Sequence, residues 1–302
     1  MTSEDNSQLL QYLKPGTILE CSSDSIFIES IASMTPGMEA NSWFFSHPNW
    51  GPMYFECENY RSRIGERWRA ATGSWDDKVV VDLGCGPGNL FRCVDGNPKL
   101  LLGVDISEGA LLNARDLGYT ALLSDVHNTP LMSGFADLVT ANATLHHVDD
   151  MAAVLAEAAR LVKPGGLLVT DEDPLKHDHQ FSILGSFLRR VRSFIPFARG
   201  SNQSPRSWKY SSFSQQACRR KTELHNRFPG DGITREMYLN VLEPMGFNVK
   251  LYPHGHVANA DVFKGSRGSN TAFVRMVQRA SGIDPDQDDS QLSIMCVATR
   301  DR

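Results

Sequence analysis

The sequence lacks the hydrophobic runs that mark membrane and secreted proteins. None of its windows holds the roughly 18 uninterrupted apolar residues that a spanning helix needs. The opening residues, MTSEDNSQLL, have neither the basic start nor the apolar run of a secretory signal. We therefore expect a cytoplasmic protein.

Cysteines at metal-binding spacing are also missing. There is no C-x-x-C pair, and no histidine lies beside a cysteine at a spacing typical of zinc sites. We expect ordinary reduced thiols and no bound metal. The six scattered cysteines are Cys21, Cys57, Cys85, Cys93, Cys218 and Cys296.

A large net charge of either sign is absent. The 30 basic and 35 acidic residues give a net charge of −5, which argues against nucleic-acid binding by the chain as a whole. The average hides one basic segment, because residues 189–221 contain nine Lys or Arg and no Asp or Glu. The rest of the chain then has 21 basic and 35 acidic residues, a net charge of −14.

What the sequence does contain is a regular alternation of apolar runs with helical patterns. This alternation predicts a doubly wound α/β fold with a mostly parallel sheet and right-handed crossovers. The last apolar run reads as an antiparallel edge strand. Strands are predicted at 78–83, 99–105, 120–125, 136–143, 166–173, 247–252 and 291–300, and helices at 60–73, 88–94, 107–118, 149–166, 232–247 and 270–280.

Interruptions of this alternation divide the chain into four parts. Residues 1–75 form a helical leader with one clear helix, and residues 76–173 form the regular core. Residues 174–232, rich in Pro, Ser and Arg, are expected to be an inserted helical lid. Residues 233–302 complete the core sheet.

The stretch VVVDLGCGPGN, residues 79–89, joins a stiff strand to three glycines at alternate positions. Glycines there let a ligand lie directly on the backbone, and the following helix offers it free N–H groups. A dinucleotide fingerprint would need a third glycine where Asn89 stands, and Asp82 would repel a pyrophosphate. The pattern therefore favours a ligand that carries positive charge.

This stretch, with the acids that end the next two strands, resembles the first motifs of the class I, Rossmann-like, S-adenosylmethionine-dependent methyltransferases. The resemblance is to the small-molecule branch and covers residues 76–173 continuously, with weaker matches at 232–252 and 291–300. It implies that S-adenosylmethionine is the cofactor and that a small organic molecule accepts the methyl group.

The resemblance also implies a role for each matching position. Gly84, Gly86 and Gly88 would form the backbone bed of the cofactor, with Asp82 near its methionine ammonium. Asp105 would accept from both ribose hydroxyls, and Asp125 would accept from the adenine amino group. Ile106 and Val126 would lie against the two faces of the adenine. Asn142 would lie beside the methionine half, and Tyr60 would close over the methionine carboxylate.

Each of these positions also has a structural interpretation. The glycines would suit a tight strand-to-helix turn without any ligand. Asp105 would suit a helix cap, and Asp125 would suit the start of a turn.

The double histidine in LHHVDD is the candidate for catalysis. Methyl transfer is an in-line displacement at an activated sulfonium, so a base is needed only when the acceptor must lose a proton. His146 or His147 would suit that step, because imidazole titrates near neutral pH. The alternative is that these side chains cap or pack the next helix.

The basic insertion is compatible with several kinds of methyl acceptor. Its arginines would suit an anionic acceptor, the phosphopantetheine arm of a carrier protein, an anionic membrane surface or RNA. The structural alternative is that they form the solvated face of the apolar helix expected at 181–195. We expect a specialised metabolite or lipophilic ring compound, methylated on O, N or C. The alternatives are an RNA or protein methyltransferase that uses residues 189–221, and a non-catalytic S-adenosylmethionine-binding protein.

Overall fold

A computed structural model describes most of the chain. The described residues are 8–47, 58–176, 218, 220–225, 231–255 and 257–302. The apolar helix expected at 181–195 and most of the basic segment lie outside them. The division into leader, core, lid and C-terminal part stays a prediction.

One sheet organises the described residues. Its strands lie in the order β1-β2-β5-β4-β3-β6-β7-β9-β8. Strands β2 to β7 pair in parallel, whereas β1 pairs antiparallel with β2, and β9 pairs antiparallel with both β7 and β8. The strands are β1 Glu20–Cys21, β2 Phe27–Ile28, β3 Val79–Leu83, β4 Leu100–Asp105, β5 Thr120–Leu123, β6 Ala136–Asn142, β7 Val162–Asp171, β8 Phe247–His254 and β9 Ser293–Arg300.

Helices cover both faces of this sheet. The described helices are α1 Pro36–Phe45, α2 Glu58–Thr72, α3 Phe91–Val94, α4 Glu108–Asp116, α5 Met151–Leu161, α6 Arg235–Leu242 and α7 Ala272–Ala280. Short 3₁₀ turns lie at Leu145–His147, Glu243–Met245, Ala260–Lys264 and Asp288–Ser290. The predicted doubly wound, mostly parallel α/β fold with antiparallel pairing at its edge is therefore confirmed.

The central strand β3 shows why the chain folds this way. All five of its residues are buried. Val79, Val81 and Leu83 pack in one core cluster with α5 and α6, whereas Val80 packs in a second cluster with Trp68 of α2 and with α4. Because successive side chains of a strand point to opposite faces, a continuous apolar run predicts a strand covered on both sides.

The order of strands fixes where a ligand can bind. The chain moves outward from β3 through β4 to β5, then returns to the other side of β3 to form β6 and β7. The direction of winding therefore reverses at β3. In open α/β sheets, a crevice forms at such a point, outside the carboxyl ends of the strands. The glycine stretch follows β3 at this crevice.

Several boundaries differ from the sequence prediction. Helix α5 ends at Leu161 instead of 166, and β7 begins at Val162, so Pro164 lies inside a strand. The pairing of β6 with β7 shifts register between Ala136 and Leu138, and such a bulge tolerates a residue without an N–H. The prediction that β9 is the edge strand was wrong, because β8 pairs on its outer side. The leader also contains α1, β1 and β2, which were not predicted.

A buried network attaches α2 to the core. Arg67 is 2% exposed and donates to Asp171 Oδ2 at 2.8 Å, to the Ala258 carbonyl at 2.6 Å and to Glu172 Oε1 at 2.5 Å. The ring of His254 lies 2.8 Å from the other oxygen of Asp171. Burial alone would raise the pKa of Asp171, but the charges of Arg67 and His254 outweigh burial and hold that pKa well below its usual range.

None of the helices within the described ranges is long and apolar enough to cross a membrane.

Candidate active site

The glycine loop after β3 is built from left-handed backbone. Gly84, Gly86 and Gly88 have φ values of 65°, 53° and 80°, which residues with a Cβ rarely adopt. A Cβ on Gly84 would lie 2.3 Å from the side chain of Thr144, and one on Gly88 would lie 2.8 Å from that of Leu117. A Cβ on Gly86 would meet no atom within 4 Å. Two of the glycines therefore allow close packing, whereas Gly86 presents bare backbone to open space.

Asp105, at the end of β4, holds this loop in place. Its Oδ2 accepts from the Gly86 N–H and its Oδ1 accepts from the Ser107 N–H, each at 2.8 Å. The cap of α4 is Ser107, whose hydroxyl accepts from the Ala110 N–H, so Asp105 is not simply a helix cap. Burial raises the pKa of Asp105, although the backbone hydrogen bonds act in the opposite direction. Each carboxylate oxygen has a further lone pair that can accept from a hydroxyl.

Asp82 lies beneath the loop. It is 1% exposed, and its two oxygens accept from the Tyr119 hydroxyl and from the Thr140 hydroxyl, each at 2.8 Å. Burial raises the pKa of Asp82 to about 6, because the two hydrogen bonds offset only part of the desolvation. The contact with a methionine ammonium that the resemblance implies stays a prediction.

The third predicted acid lies at the neighbouring strand end. Leu123 of β5 pairs with Asp105 of β4, and Asp125 follows two residues later. Asp125 Oδ1 accepts from the backbone N–H of His127 at 2.9 Å and lies 2.6 Å from Nδ1 of the same ring. Burial would raise the pKa of Asp125, but its hydrogen bonds with His127 hold it below the usual value. The role of His127 in orienting this carboxylate was not predicted.

The predicted adenine contacts follow the same two strand ends. Ile106 comes directly after β4 and Val126 comes shortly after β5, and both are half-buried. Parallel pairing of β4 with β5 therefore brings both residues to the same edge of the sheet. Tyr60 lies in the first turn of α2, and the position of its side chain is outside what the structure describes.

Asn142 ends β6, beside the loop. Its side-chain oxygen is buried and accepts no hydrogen bond from the residues that the structure describes. The next residue, Ala143, has a φ of 54°, which is an uncommon conformation for a residue with a Cβ. Thr144 then packs against Gly84 and donates to the Leu83 carbonyl at 3.2 Å. A buried amide oxygen in this position suits a hydrogen-bond donor from a ligand.

Both candidate catalytic histidines lie in the 3₁₀ turn that follows. His146 is 6% exposed, and its backbone N–H and ring Nδ1 lie 3.0 and 2.8 Å from Asp173 Oδ1. His147 Nδ1 lies 2.7 Å from the carbonyl oxygen of Thr222. Because a carbonyl can only accept, His147 carries a proton on Nδ1. The two rings are tilted by 39° relative to each other, with centroids 4.0 Å apart.

The leader helix α1 crosses the site, a feature that was not predicted. At its start, Thr35 donates to Asp149 Oδ2 at 2.6 Å, and in its middle Asn41 donates to the His147 carbonyl at 3.1 Å. At its end, the Ser46 hydroxyl lies 2.9 Å from that of Ser107. Helix α1 therefore extends from the histidine turn to the helix beside Asp105. A Thr-Pro pair before an apolar segment is a helix-start signal that could have revealed it.

A family comparison identifies the arrangement. Residues 81–170 match the family model described as "Methyltransferase domain". This range contains the glycine loop, Asp105, Asp125 and the histidine pair. Residues 81–170 are therefore identified as a methyltransferase domain of the class I, S-adenosylmethionine-dependent type. The family resemblance of the glycine loop is therefore confirmed.

Several curated relatives that match this methyltransferase domain are named as methyltransferases. One is the ubiquinone biosynthesis O-methyltransferase of Thiobacillus denitrificans, 38% identical over 33% of this chain and 46% of that protein. Another is the malonyl-[acyl-carrier protein] O-methyltransferase of Serratia marcescens, 28% identical over 35% of this chain and 42% of that protein. The chain matches less than half of the length of each relative.

A solved structure supports the fold over a longer range. The plantazolicin methyltransferase BpumL, in complex with a triazolic desmethylPZN analog and SAH, matches 88% of this chain and 96% of its own. The TM-score is 0.50 and the sequence identity is 12%. The likeness therefore concerns the fold of the methyltransferase domain and its surrounding elements, not the acceptor.

We predict that Gly86→Ala weakens binding of S-adenosylhomocysteine at least about tenfold, or about 1.4 kcal/mol, in calorimetry. The new methyl group would occupy the open space beside Gly86, where the cofactor is predicted to lie. Gly246→Ala is the matched control, since Gly246 also has a positive φ of 79° with no atom near its Cβ position. Gly246 precedes β8 at the opposite end of the sheet. Equal affinities for the two variants would contradict this layout.

We also predict that binding releases a proton near pH 6 if Asp82 neighbours the methionine ammonium. Burial raises the pKa of Asp82 to about 6, so this carboxyl is partly protonated near that pH. A nearby ammonium favours the ionised form and lowers that pKa, which expels the proton. At about pH 8 the carboxyl is already ionised and no release is expected.

Calorimetry of S-adenosylhomocysteine in buffers with different ionisation enthalpies measures this release. The control ligand is 5′-methylthioadenosine, which keeps the adenine and ribose but lacks the amino-acid ammonium. Equal proton counts for the two ligands at pH 6 would show that Asp82 does not respond to the ammonium.

Proposed function

We propose that this chain transfers a methyl group from S-adenosylmethionine to an O, N or C atom of a small organic acceptor. The observation that carries the proposal is the bare backbone of Gly86, fixed by the Asp105 carboxylate and bordered by open space. The match to the methyltransferase domain family supports the same assignment. A cytoplasmic location remains part of the proposal.

The chemistry of the surrounding residues suits each part of this cofactor. Asp105 keeps lone pairs for the two ribose hydroxyls, and Asp125 can accept from the adenine amino group. Ile106 and Val126 offer apolar surface to the purine. The buried oxygen of Asn142 can accept from the methionine ammonium. A nicotinamide dinucleotide suits this site less well, because its pyrophosphate would meet the carboxylates of Asp82 and Asp105.

Proton removal from the acceptor is proposed for the histidine pair. With its Nδ1 proton directed at the Thr222 carbonyl, neutral His147 has its basic lone pair on Nε2. The carboxylate of Asp173 beside His146 would stabilise a positive charge on that ring. Both histidines therefore stay candidates for the general base of an acceptor that carries a proton.

The His146→Ala and His147→Ala variants test this role. The variant that lacks the base should lose the acidic limb of the pH–rate profile, with kcat lower by about 10²- to 10⁴-fold. A variant whose profile matches that of the parent excludes its histidine as the base.

The acceptor class rests on the relatives and on the basic segment. The names of the curated relatives include a ubiquinone biosynthesis enzyme and a malonyl-[acyl-carrier protein] methyltransferase. The second name, together with nine basic residues in 189–221, favours a carrier-bound or anionic acceptor as the second candidate. An RNA or protein acceptor has less support, because no RNA-reading pattern is visible in the sequence.

Transfer of label from S-adenosyl[methyl-³H]methionine tests the function. We expect the purified chain to label small molecules in a metabolite extract, and the Gly86→Ala variant to label them at least about tenfold more slowly at low cofactor concentration, in line with its weaker binding. Addition of acyl-carrier protein loaded with short acids tests the second candidate. Label found only in precipitated protein or RNA would contradict a small acceptor, and no label in any fraction would favour a non-catalytic cofactor-binding protein.

A further inference from the structure

Three potential metal ligands converge beside the proposed methyl-transfer site. His146, His147 and Glu223 each offer one ligand atom, and these atoms all lie within 4.8 Å of one another. We propose that this cluster binds a divalent transition-metal ion of the zinc type. The inference concerns the chain without cofactor or acceptor, so it stands apart from the proposed function.

The donor set suits such an ion. Two imidazoles and one carboxylate are a common ligand set of catalytic zinc sites, which keep further positions for water or substrate. His146 Nε2 lies 3.6 Å from Glu223 Oε2. Two ligands of a tetrahedral ion with bonds of about 2.1 Å lie roughly 3.4 Å apart, so this pair already has nearly the required separation.

The outer contacts of both histidines are those of metal ligands. A histidine that binds a metal through one nitrogen usually donates the other N–H to a carboxylate or carbonyl, which fixes its tautomer and direction. Here His146 Nδ1 lies 2.8 Å from the fully buried Asp173, and His147 Nδ1 donates to Thr222 at 2.7 Å. With Nδ1 engaged in this way, Nε2 is the nitrogen through which each ring would bind a metal.

A proton is the competing explanation for the short distance between His146 and Glu223. An imidazolium would also lie near a carboxylate. A proton on His146 accounts for one pair of atoms, whereas a single ion accounts for the approach of all three groups. Because the ring centroids are 4.0 Å apart, protons on both histidines would repel each other. The convergence of all three ligand atoms therefore favours one shared cation over two protons.

The sequence offered no local signal for this cluster. The expectation of no metal rested on cysteine and histidine spacing, but Glu223 is distant from the histidine pair along the chain. Two hydrogen bonds bring its segment to the site. The His225 N–H donates to the His146 carbonyl at 3.0 Å, and Asn41 of α1 lies 3.5 Å from the Thr222 carbonyl.

A second group of potential ligands carries no such proposal. Asp171, Glu172 and His254 also lie close together, but the guanidinium of Arg67 bonds to both carboxylates there. That guanidinium already supplies the positive charge that a metal ion would bring. The histidine cluster is therefore the one to which we assign an ion.

A bound ion would change how an acceptor loses its proton. Coordination of an acceptor oxygen or nitrogen would lower its pKa, so that its proton could pass to solvent water without a protein base. In the metal-loaded chain the two Nε2 lone pairs hold the ion, and the base role proposed above belongs to the metal-free chain.

Metal titration of the full chain tests the inference. After removal of metal by a chelator, Co²⁺ is added and followed by visible absorption, and Zn²⁺ is added and followed by calorimetry. We expect one equivalent of each to bind, and at least about tenfold weaker binding for Glu223→Gln and for His147→Gln. The control is His225→Ala, which removes an imidazole from the same segment but not from the cluster, and should bind as the parent does.

Three further measurements show whether a change in metal binding is specific to this cluster. Asp173→Asn removes the negative charge from an outer contact of His146 and should weaken binding about 10- to 100-fold, while thermal unfolding reports whether each variant is folded. The parent sample is also titrated with S-adenosylhomocysteine. Absence of Co²⁺ and Zn²⁺ binding in a parent chain that binds this nucleoside overturns the metal site alone. Binding that neither Glu223→Gln nor His147→Gln weakens also overturns it.

Discussion

The site depends on one carboxylate that joins two backbone segments. Asp105 accepts from the N–H of Gly86 and from that of Ser107, so it connects the loop after β3 to the start of α4. A glycine loop has no side chains of its own with which to hold a shape. Its left-handed conformation is therefore maintained by this bridge and by the close packing of Thr144 against Gly84 and of Tyr119 against Gly88.

The sheet explains why so many acids meet in one place. Parallel pairing of β3, β4, β6 and β7 brings Asp82, Asp105 and Asp171 to the same edge, with Asp173 just beyond. Burial of these carboxyls is unfavourable, and hydrogen bonds or opposite charges offset its cost. Tyr119 and Thr140 donate to Asp82, and Arg67 donates to Asp171. A site with this much negative character suits a sulfonium cofactor and disfavours phosphates.

The sequence predicted the features that local pattern determines. Strand β3 and helix α4 were predicted nearly to the residue, because one is a continuous apolar run and the other has Ser107 as its cap. Their order then predicted the sheet and the glycine loop. The contacts of Arg67 with Asp171, of His147 with Thr222 and of Glu223 with His146 were not predictable, since each joins residues far apart in the chain and leaves no periodic signal.

The most direct test of the central claim observes the loop backbone itself. In a chain labelled with ¹⁵N at glycine, S-adenosylhomocysteine should shift the amide signal of Gly86 strongly, since we propose that the ligand lies on that peptide, whose N–H donates to Asp105. The signal of Gly246, at the other end of the sheet, should stay in place. A spectrum in which this nucleoside leaves Gly86 unchanged, while a nicotinamide dinucleotide moves it, would contradict the account.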